Sequence, residues 1–75
     1  MTLYKLTDRK DNTEMYFTTK TKAIKYIIEN YLEEGQILDK WSDFYGTFYS
    51  IYKNEMSVLA IRTFSIEEIN VNIIA

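Results

Sequence analysis

The chain has 75 residues and contains no histidine, cysteine or proline, whereas twelve of its side chains are aromatic, seven of them tyrosine. Its formal net charge is −2 and its pI is about 5.0. This length predicts one domain spanning residues 1–75, and the composition excludes the usual general base, the thiol nucleophile and the common zinc ligands.

The first predicted element is a β-hairpin. Tyr4 alternates with Leu6, and Met15 alternates with Phe17, which is the period of half-buried strands. The polar segment 8–12 between them is long enough for an open hairpin tip. The predicted strands are Leu3–Thr7 and Thr13–Thr18.

The second predicted element is a helix from Lys20 to Glu34. Thr18 or Thr19 suits its N-cap, and Gly35 suits a left-handed C-cap. Apolar residues recur at spacings of three and four and form one stripe that predicts packing against a sheet. The stripe consists of Ala23, Ile24, Ile27, Ile28, Tyr31 and Leu32.

Residues 36–46 are compatible with two structures. Trp41 and Phe44 fall on the apolar side of a short helix that would end at Gly46. The same residues also suit an ordered loop that packs Trp41 inward. Asp39 lies one helical turn from Asp43, and the two carboxylates are interpreted as a solvated acidic surface.

A second hairpin is predicted from Thr47–Lys53, a turn at Asn54–Glu55, and Met56–Phe64. Neither strand alternates cleanly, because apolar residues occupy both parities. Strands of that kind are covered on both faces. One helix covers one face only, so the sequence predicts that the other face of this hairpin is an exposed aromatic surface.

The C-terminal segment has two conflicting patterns. Ser65–Glu68 fits a helical capping box, whereas Ile69, Val71 and Ile73 alternate with asparagines as in a strand. The sequence predicts one helical turn at residues 65–68 followed by a closing strand. The expected fold class is therefore α+β, with a mostly antiparallel sheet of two hairpins, a possible C-terminal strand, and one main helix on one face.

The function expected from these features is that of a non-enzymatic protein-binding module in the cytoplasm. Small size, missing catalytic chemistry and an uncovered aromatic surface favour this function, and tyrosine is enriched at protein interfaces. A composition biased towards Ile, Lys, Asn and Tyr is also typical of phage and plasmid reading frames, which suggests a stoichiometric inhibitor or modulator. The candidate contact residues are Trp41, Asp43, Tyr45, Tyr49 and Tyr52.

The main alternative is a nucleic-acid-binding protein, in which sheet aromatics stack on bases and basic residues contact phosphates. Residues 1–25 carry a net charge of +3 and residues 26–75 carry −5. The acidic pI and the absence of an aromatic-glycine recognition signature make this alternative weaker. Its candidate residues are Arg9, Lys10, Lys20, Lys22 and Lys25.

Homo-oligomerisation through the uncovered sheet face is a further alternative, in which the tyrosines serve assembly alone. No catalytic residue, cofactor or metal site is expected, because two glycines do not make a phosphate-binding loop and no cysteine or histidine is present. No run approaches the ~20 apolar residues of a membrane span, so no membrane partner is expected.

Overall fold

The computed structural model describes residues 1–72, which form five strands and one helix in an α+β arrangement. The strands make one open sheet in the order β2-β1-β5-β4-β3, and each neighbouring pair is antiparallel. The predicted fold class is therefore confirmed. The elements are β1 (Thr2–Asp8), β2 (Thr13–Phe17), α1 (Lys20–Tyr31), β3 (Ile37–Asp43), β4 (Gly46–Tyr52) and β5 (Arg62–Asn70).

The first hairpin forms as predicted, with Leu6 opposite Met15 and Asp8 opposite Thr13. Its tip closes through a hydrogen bond of 2.8 Å from the Asn12 amide to the Asp8 carbonyl. Asn12 has a φ of 59°. Asparagine tolerates this left-handed conformation better than most residues, which explains its place in the turn.

The helix begins where predicted and ends earlier. The Thr19 hydroxyl accepts a hydrogen bond of 3.1 Å from the Lys22 amide, which makes Thr19 the N-cap. The last helical residue is Tyr31, and Leu32 is already extended, so the predicted end at Glu34 with Gly35 as C-cap is wrong. Helical Glu33 and Glu34 would place two carboxylates at the negative end of the helix dipole; instead the residues after Leu32 form a turn, in which Gly35 has a φ of 84°.

Residues 36–46 form neither the short helix nor the loop that the sequence suggested. They contain the whole of β3 and a two-residue turn that leads into β4, with Trp41 opposite Phe48 and Asp43 opposite Gly46. Pairing with β4 runs along the whole of β3 and satisfies the backbone groups of every second residue. That long-range pairing outweighs the local three-and-four spacing of the apolar residues.

The second predicted hairpin forms, but its second strand begins at Arg62 and not at Met56. β4 pairs with β3 on one side and with β5 on the other, so both of its hydrogen-bonding edges are occupied. Residues 53–61 consequently form a loop, and the predicted strand over Met56–Phe64 is wrong up to Ile61. The Asn54 side chain starts the loop by accepting a hydrogen bond of 2.9 Å from the Met56 amide.

The capping-box pattern at Ser65–Glu68 does not produce a helical turn. Residues 62–70 are a single strand, in which Ile66 lies opposite Leu6 and Phe64 opposite Asp8. Pairing with β1 over residues 64–70 and with β4 over residues 62–65 overrides the local signal. The Val71 amide donates to the Met1 carbonyl, and Ile73 lies outside the described residues.

Strand parity divides the sheet into two faces. The helix face packs against α1, and its core contains Phe64, Ile27 and Ala23, each with no exposed surface. The far face is the opposite side, on which no helix or strand of residues 1–72 packs as a second layer. The core on the helix face consists of Leu6, Ala23, Ile27, Tyr49, Ile51, Phe64 and Ile66.

A buried ion pair closes one end of the helix face. The Asp8 carboxylate is 3% exposed and accepts a hydrogen bond of 2.7 Å from Nε of Arg62, whose Nη2 lies 2.6 Å from the same oxygen. The Arg62 guanidinium also lies 4.7 Å from the centre of the Tyr31 ring. The hydrogen bond with Asp8 raises the pKa of Arg62 above its ordinary value, so the guanidinium stays protonated.

Candidate protein-binding surface

The five predicted contact residues do not form one surface. Trp41, Asp43 and Tyr52 lie on the far face, whereas Tyr49 belongs to the core on the helix face. Tyr45 lies in the turn between β3 and β4. The predicted set is therefore divided between two faces and a turn.

Trp41 contacts its own sheet. Its ring stacks on Phe48 with 4.6 Å between ring centres, and its indole N–H donates a hydrogen bond of 2.7 Å to the Ser50 hydroxyl. Ser50 also bonds to the Thr63 hydroxyl at 2.9 Å. Trp41 is 37% exposed, so part of its side chain covers the buried Ser50 hydroxyl and part remains accessible to a partner.

Tyr49 is not a contact residue, because its side chain is 4% exposed and lies in the core. This corrects the sequence prediction. Its hydroxyl is buried and has no hydrogen-bond partner within residues 1–72. Burial raises the pKa of the hydroxyl above its ordinary value of 10.0, since the anion would be desolvated.

Replacing Tyr49 by Phe should raise the free energy of unfolding at pH 7 by about 1 kcal/mol, because it removes a buried polar group without a partner. In the wild type the raised pKa contributes stability below pH 10, and that contribution is lost as the pH rises past 10. Y49F should therefore lose less stability than the wild type between pH 9 and pH 11. Urea titrations at several pH values measure both effects.

The matched control is Tyr52→Phe, since Tyr52 is only partly buried on the far face. We expect Y52F to leave both the stability at pH 7 and its alkaline dependence unchanged. A Y49F protein that is less stable than the wild type would show that the hydroxyl does have a partner.

The centre of the far face is polar. The Lys5 amine lies 3.4 Å from the Glu14 carboxylate and 3.3 Å from that of Glu67, which links β2, β1 and β5. Hydrogen bonding to Glu67, with a smaller contribution from Glu14, raises the pKa of Lys5. Together with Ser50 and Thr63, these groups make the middle of the far face polar, where the sequence predicted an aromatic surface.

The large apolar side chains that are more than 80% exposed lie instead on the two connections that flank β4. The hairpin tip, Phe44 and Tyr45, joins β3 to β4, and these rings are 99% and 88% exposed. The Asp43 carboxylate accepts a hydrogen bond of 2.7 Å from the Tyr45 amide and so fixes the turn. The Asp43 side chain therefore stabilises the turn between β3 and β4.

The 53–61 loop carries the larger group of exposed aliphatic side chains, which we call the loop patch. Asn54 and Ser57 hold the start of the loop through side-chain hydrogen bonds, and the Ile61 amide donates to the Ile51 carbonyl at 2.7 Å. These bonds keep the loop close to the end of β4. The loop patch consists of Met56, Val58, Leu59 and Ile61, which are 90%, 90%, 81% and 49% exposed.

A cleft of about 260 Å³ lies beside the loop patch, between the loop and the end of the β3–β4 hairpin. Ile37, Tyr52 and Val58 contribute apolar groups to it, and Asp39 and Glu55 contribute carboxylates. Tyr52 is thus the predicted contact residue that lies nearest to the loop patch. A side chain from a partner that covers the patch has room to enter the cleft.

The basic residues proposed to contact nucleic acid are spread over the molecule. The Arg9 guanidinium lies 5.2 Å from the centre of the Phe48 ring on the far face. Lys20, Lys22 and Lys25 project from α1, on the opposite side of the sheet, and Lys25 pairs with Glu29 at 3.7 Å. Lys10 lies in the turn of the first hairpin. The sheet therefore separates Arg9 from the lysines of the helix.

The sequence prediction missed the loop patch because it placed Met56–Ile61 in a strand. The useful signal was the run Val58–Ile61, whose consecutive apolar residues lack the alternation of a half-buried strand.

No helix among residues 1–72 has the length and apolar character needed to cross a membrane. Within the same residues, no three acidic side chains are grouped so that they can hold a metal ion. We found no match for the chain among protein-family models, curated proteins or solved structures.

Proposed function

We propose that the chain is a non-enzymatic protein-binding module that contacts its partner through the loop patch. The observation that carries this proposal is the exposure of Met56, Val58 and Leu59, each of which is at least 81% accessible to solvent. Clustered exposed apolar side chains of this kind are typical of protein interaction sites.

The fold itself gains little from these side chains, which supports a role outside the folded chain. Residues 53–61 contribute no side chain to the core, so polar residues at the same positions would serve the fold equally well. Burying a valine or leucine side chain contributes about 1.5 to 3 kcal/mol. Two or three such side chains, inserted together into a partner, supply a large share of the binding free energy.

In this role the chain acts by occupying a surface of its partner, as a stoichiometric inhibitor or modulator does. Nucleic acid is a weaker candidate, because Arg9 and the helix lysines lie on opposite sides of the sheet and the far face carries Glu14 and Glu67. A second copy of the chain is a separate outcome that the test below distinguishes.

The test replaces Val58 and Leu59 together by serine and compares capture of proteins from a lysate of the source cells. We expect V58S/L59S to lose the proteins that the wild type captures, because the aliphatic contacts are gone. The melting temperature should not change, since neither side chain packs in the core.

The matched control is Phe44→Ser at the hairpin tip, about 20 Å away along β4. Phe44 is 99% exposed, so F44S removes an equally accessible apolar side chain from a different place and should retain capture. The proposal fails if V58S/L59S still captures the same proteins. Recovery of nucleic acid alone, with binding that falls steeply as salt rises, or recovery of the chain alone, would also contradict it.

A further inference from the structure

The geometry points to a second interaction surface, the free edge of β3, which accepts an extended peptide segment of another protein as a sixth strand. The segment is defined by its charges: basic side chains opposite Asp39 and Asp43, an acidic side chain opposite Lys40, and an apolar side chain opposite Trp41. This inference concerns the edge of β3, which shares Asp39 with the cleft beside the loop patch but contains no residue of the loop patch and does not depend on it.

The backbone N–H and C=O groups of successive β3 residues point alternately towards β4 and away from it. Asp43 and Gly46 flank a two-residue turn, so they form a hydrogen-bonded pair. Hydrogen-bonded pairs alternate along an antiparallel ladder, and residues 37, 39 and 41 therefore also direct their N–H and C=O groups towards β4. The N–H and C=O groups of residues 38, 40 and 42 point away from the sheet, where an added strand can bind them.

The edge of β3 carries a pattern of charged side chains. Asp39, Lys40 and Asp43 are exposed, and none of them forms an ion pair within residues 1–72. Strand parity places Asp39 and Asp43 on the far face, on either side of Trp41, and Lys40 on the helix face. An added strand of complementary charge would pair all three.

The charges of β3 also disfavour a second copy of the chain as the occupant. Two β3 edges related by a twofold axis can pair five or more strand residues in three antiparallel registers. One register places Lys40 opposite Lys40 of the other copy, and another places Asp39 opposite Asp39. The remaining register places Asp39 opposite Asp43 twice. Like charges directly opposite each other destabilise a sheet, so the edge disfavours self-association and selects a different sequence.

An antiparallel occupant therefore has, over five consecutive residues, the order basic, any, apolar, acidic, basic. The test uses a capped peptide of sequence Arg-Thr-Tyr-Glu-Arg-Val-Thr, designed to lie opposite residues 43 to 37 in that order. The control peptide, Glu-Arg-Tyr-Arg-Thr-Val-Thr, has the same composition and net charge but opposes like charges at positions 43 and 40.

Each peptide is titrated into the 15N-labelled chain and followed by the amide signals. We expect the designed peptide to shift the amides of Leu38, Lys40 and Ser42 and to slow their hydrogen exchange, with about tenfold tighter binding than the control peptide. Methylating the peptide backbone at the nitrogens that face β3 should abolish binding, because it removes the ladder hydrogen bonds.

A charge-reversed chain tests the pairing itself. Asp39→Lys together with Asp43→Lys should bind the designed peptide about tenfold more weakly and bind a peptide with glutamates at the two arginine positions more tightly. Equal affinity of the wild type for the designed and control peptides would overturn the inference. Signals that move in the 53–61 loop instead of β3, or edge protection that depends on the concentration of the chain alone, would overturn it too.

Discussion

Replacing Phe64 by alanine should destabilise the domain by about 4 kcal/mol, which is the largest effect expected of any single substitution in this chain. Phe64 has no exposed surface, and its ring lies 5.0 Å from that of Tyr31, the last residue of the helix. It lies opposite Asp8 on one side and Tyr49 on the other. The ring therefore joins the helix to the three middle strands.

A domain of this size is stable by about 4 to 11 kcal/mol, so F64A should be partly or largely unfolded at 37 °C. Urea denaturation followed by circular dichroism measures the change. The matched control is Phe44→Ala, in which the same atoms are removed from a ring that is 99% exposed. F44A should have the stability of the wild type. Equal losses of unfolding free energy in F64A and F44A would contradict the placement of Phe64 in the core.

Replacing Asp8 by alanine should cost about 3 kcal/mol, the second-largest effect. Asp8 is 3% exposed and holds Arg62 through two contacts. D8A would leave the guanidinium beneath Tyr31 without its carboxylate, and the Lys10 amide would lose its hydrogen bond to Asp8. The cost is set mainly by the Arg62 guanidinium, which is 23% exposed and would keep only the exposed Asp11 carboxylate, 3.6 Å away, as its partner.

The double substitution Asp8→Val with Arg62→Met separates this penalty from lost packing. Removing both charges should restore at least half of the stability that D8A loses. Asp39→Ala is the control for a carboxylate at an exposed strand position and should change stability little. If the double variant is less stable than D8A, the cost of D8A does not come mainly from the Arg62 charge that it leaves without Asp8.

The sequence predicted the first hairpin and the helix because both are defined by local periodicity. Tyr4 and Leu6 alternate along β1, and the stripe through Ala23 and Ile27 repeats at helical spacing. The end of the helix was misplaced because glycine at position 35 is a strong signal for a C-cap, whereas here Gly35 lies in a turn closed by a hydrogen bond of 2.9 Å from the Glu33 amide to the Gln36 side chain.

β3 was missed for a physical reason. It is an edge strand with five exposed residues in succession, so no alternating buried positions reveal it, and Ile37, Leu38 and Trp41 happen to match helical spacing. The helical reading of Ser65–Glu68 failed similarly, because the capping box is a local preference that pairing with β1 outweighs.

The predicted contact residues are divided between the two faces because sequence does not show which parity of β4 faces the helix. Both parities carry aromatic residues, with Tyr49 on one and Phe48 on the other. Nor does sequence show that β3 and β5 together occupy both edges of β4, which leaves the apolar residues 56–61 without a strand to pair with.

The most direct test of the proposed function places a photo-reactive benzoylphenylalanine at position 59, in the loop patch, and separately at position 21, an exposed site on the helix. After irradiation in the source cells, we predict a covalent adduct between position 59 and a second protein, and none from position 21. An adduct from position 21 alone, or none from position 59, would contradict the account.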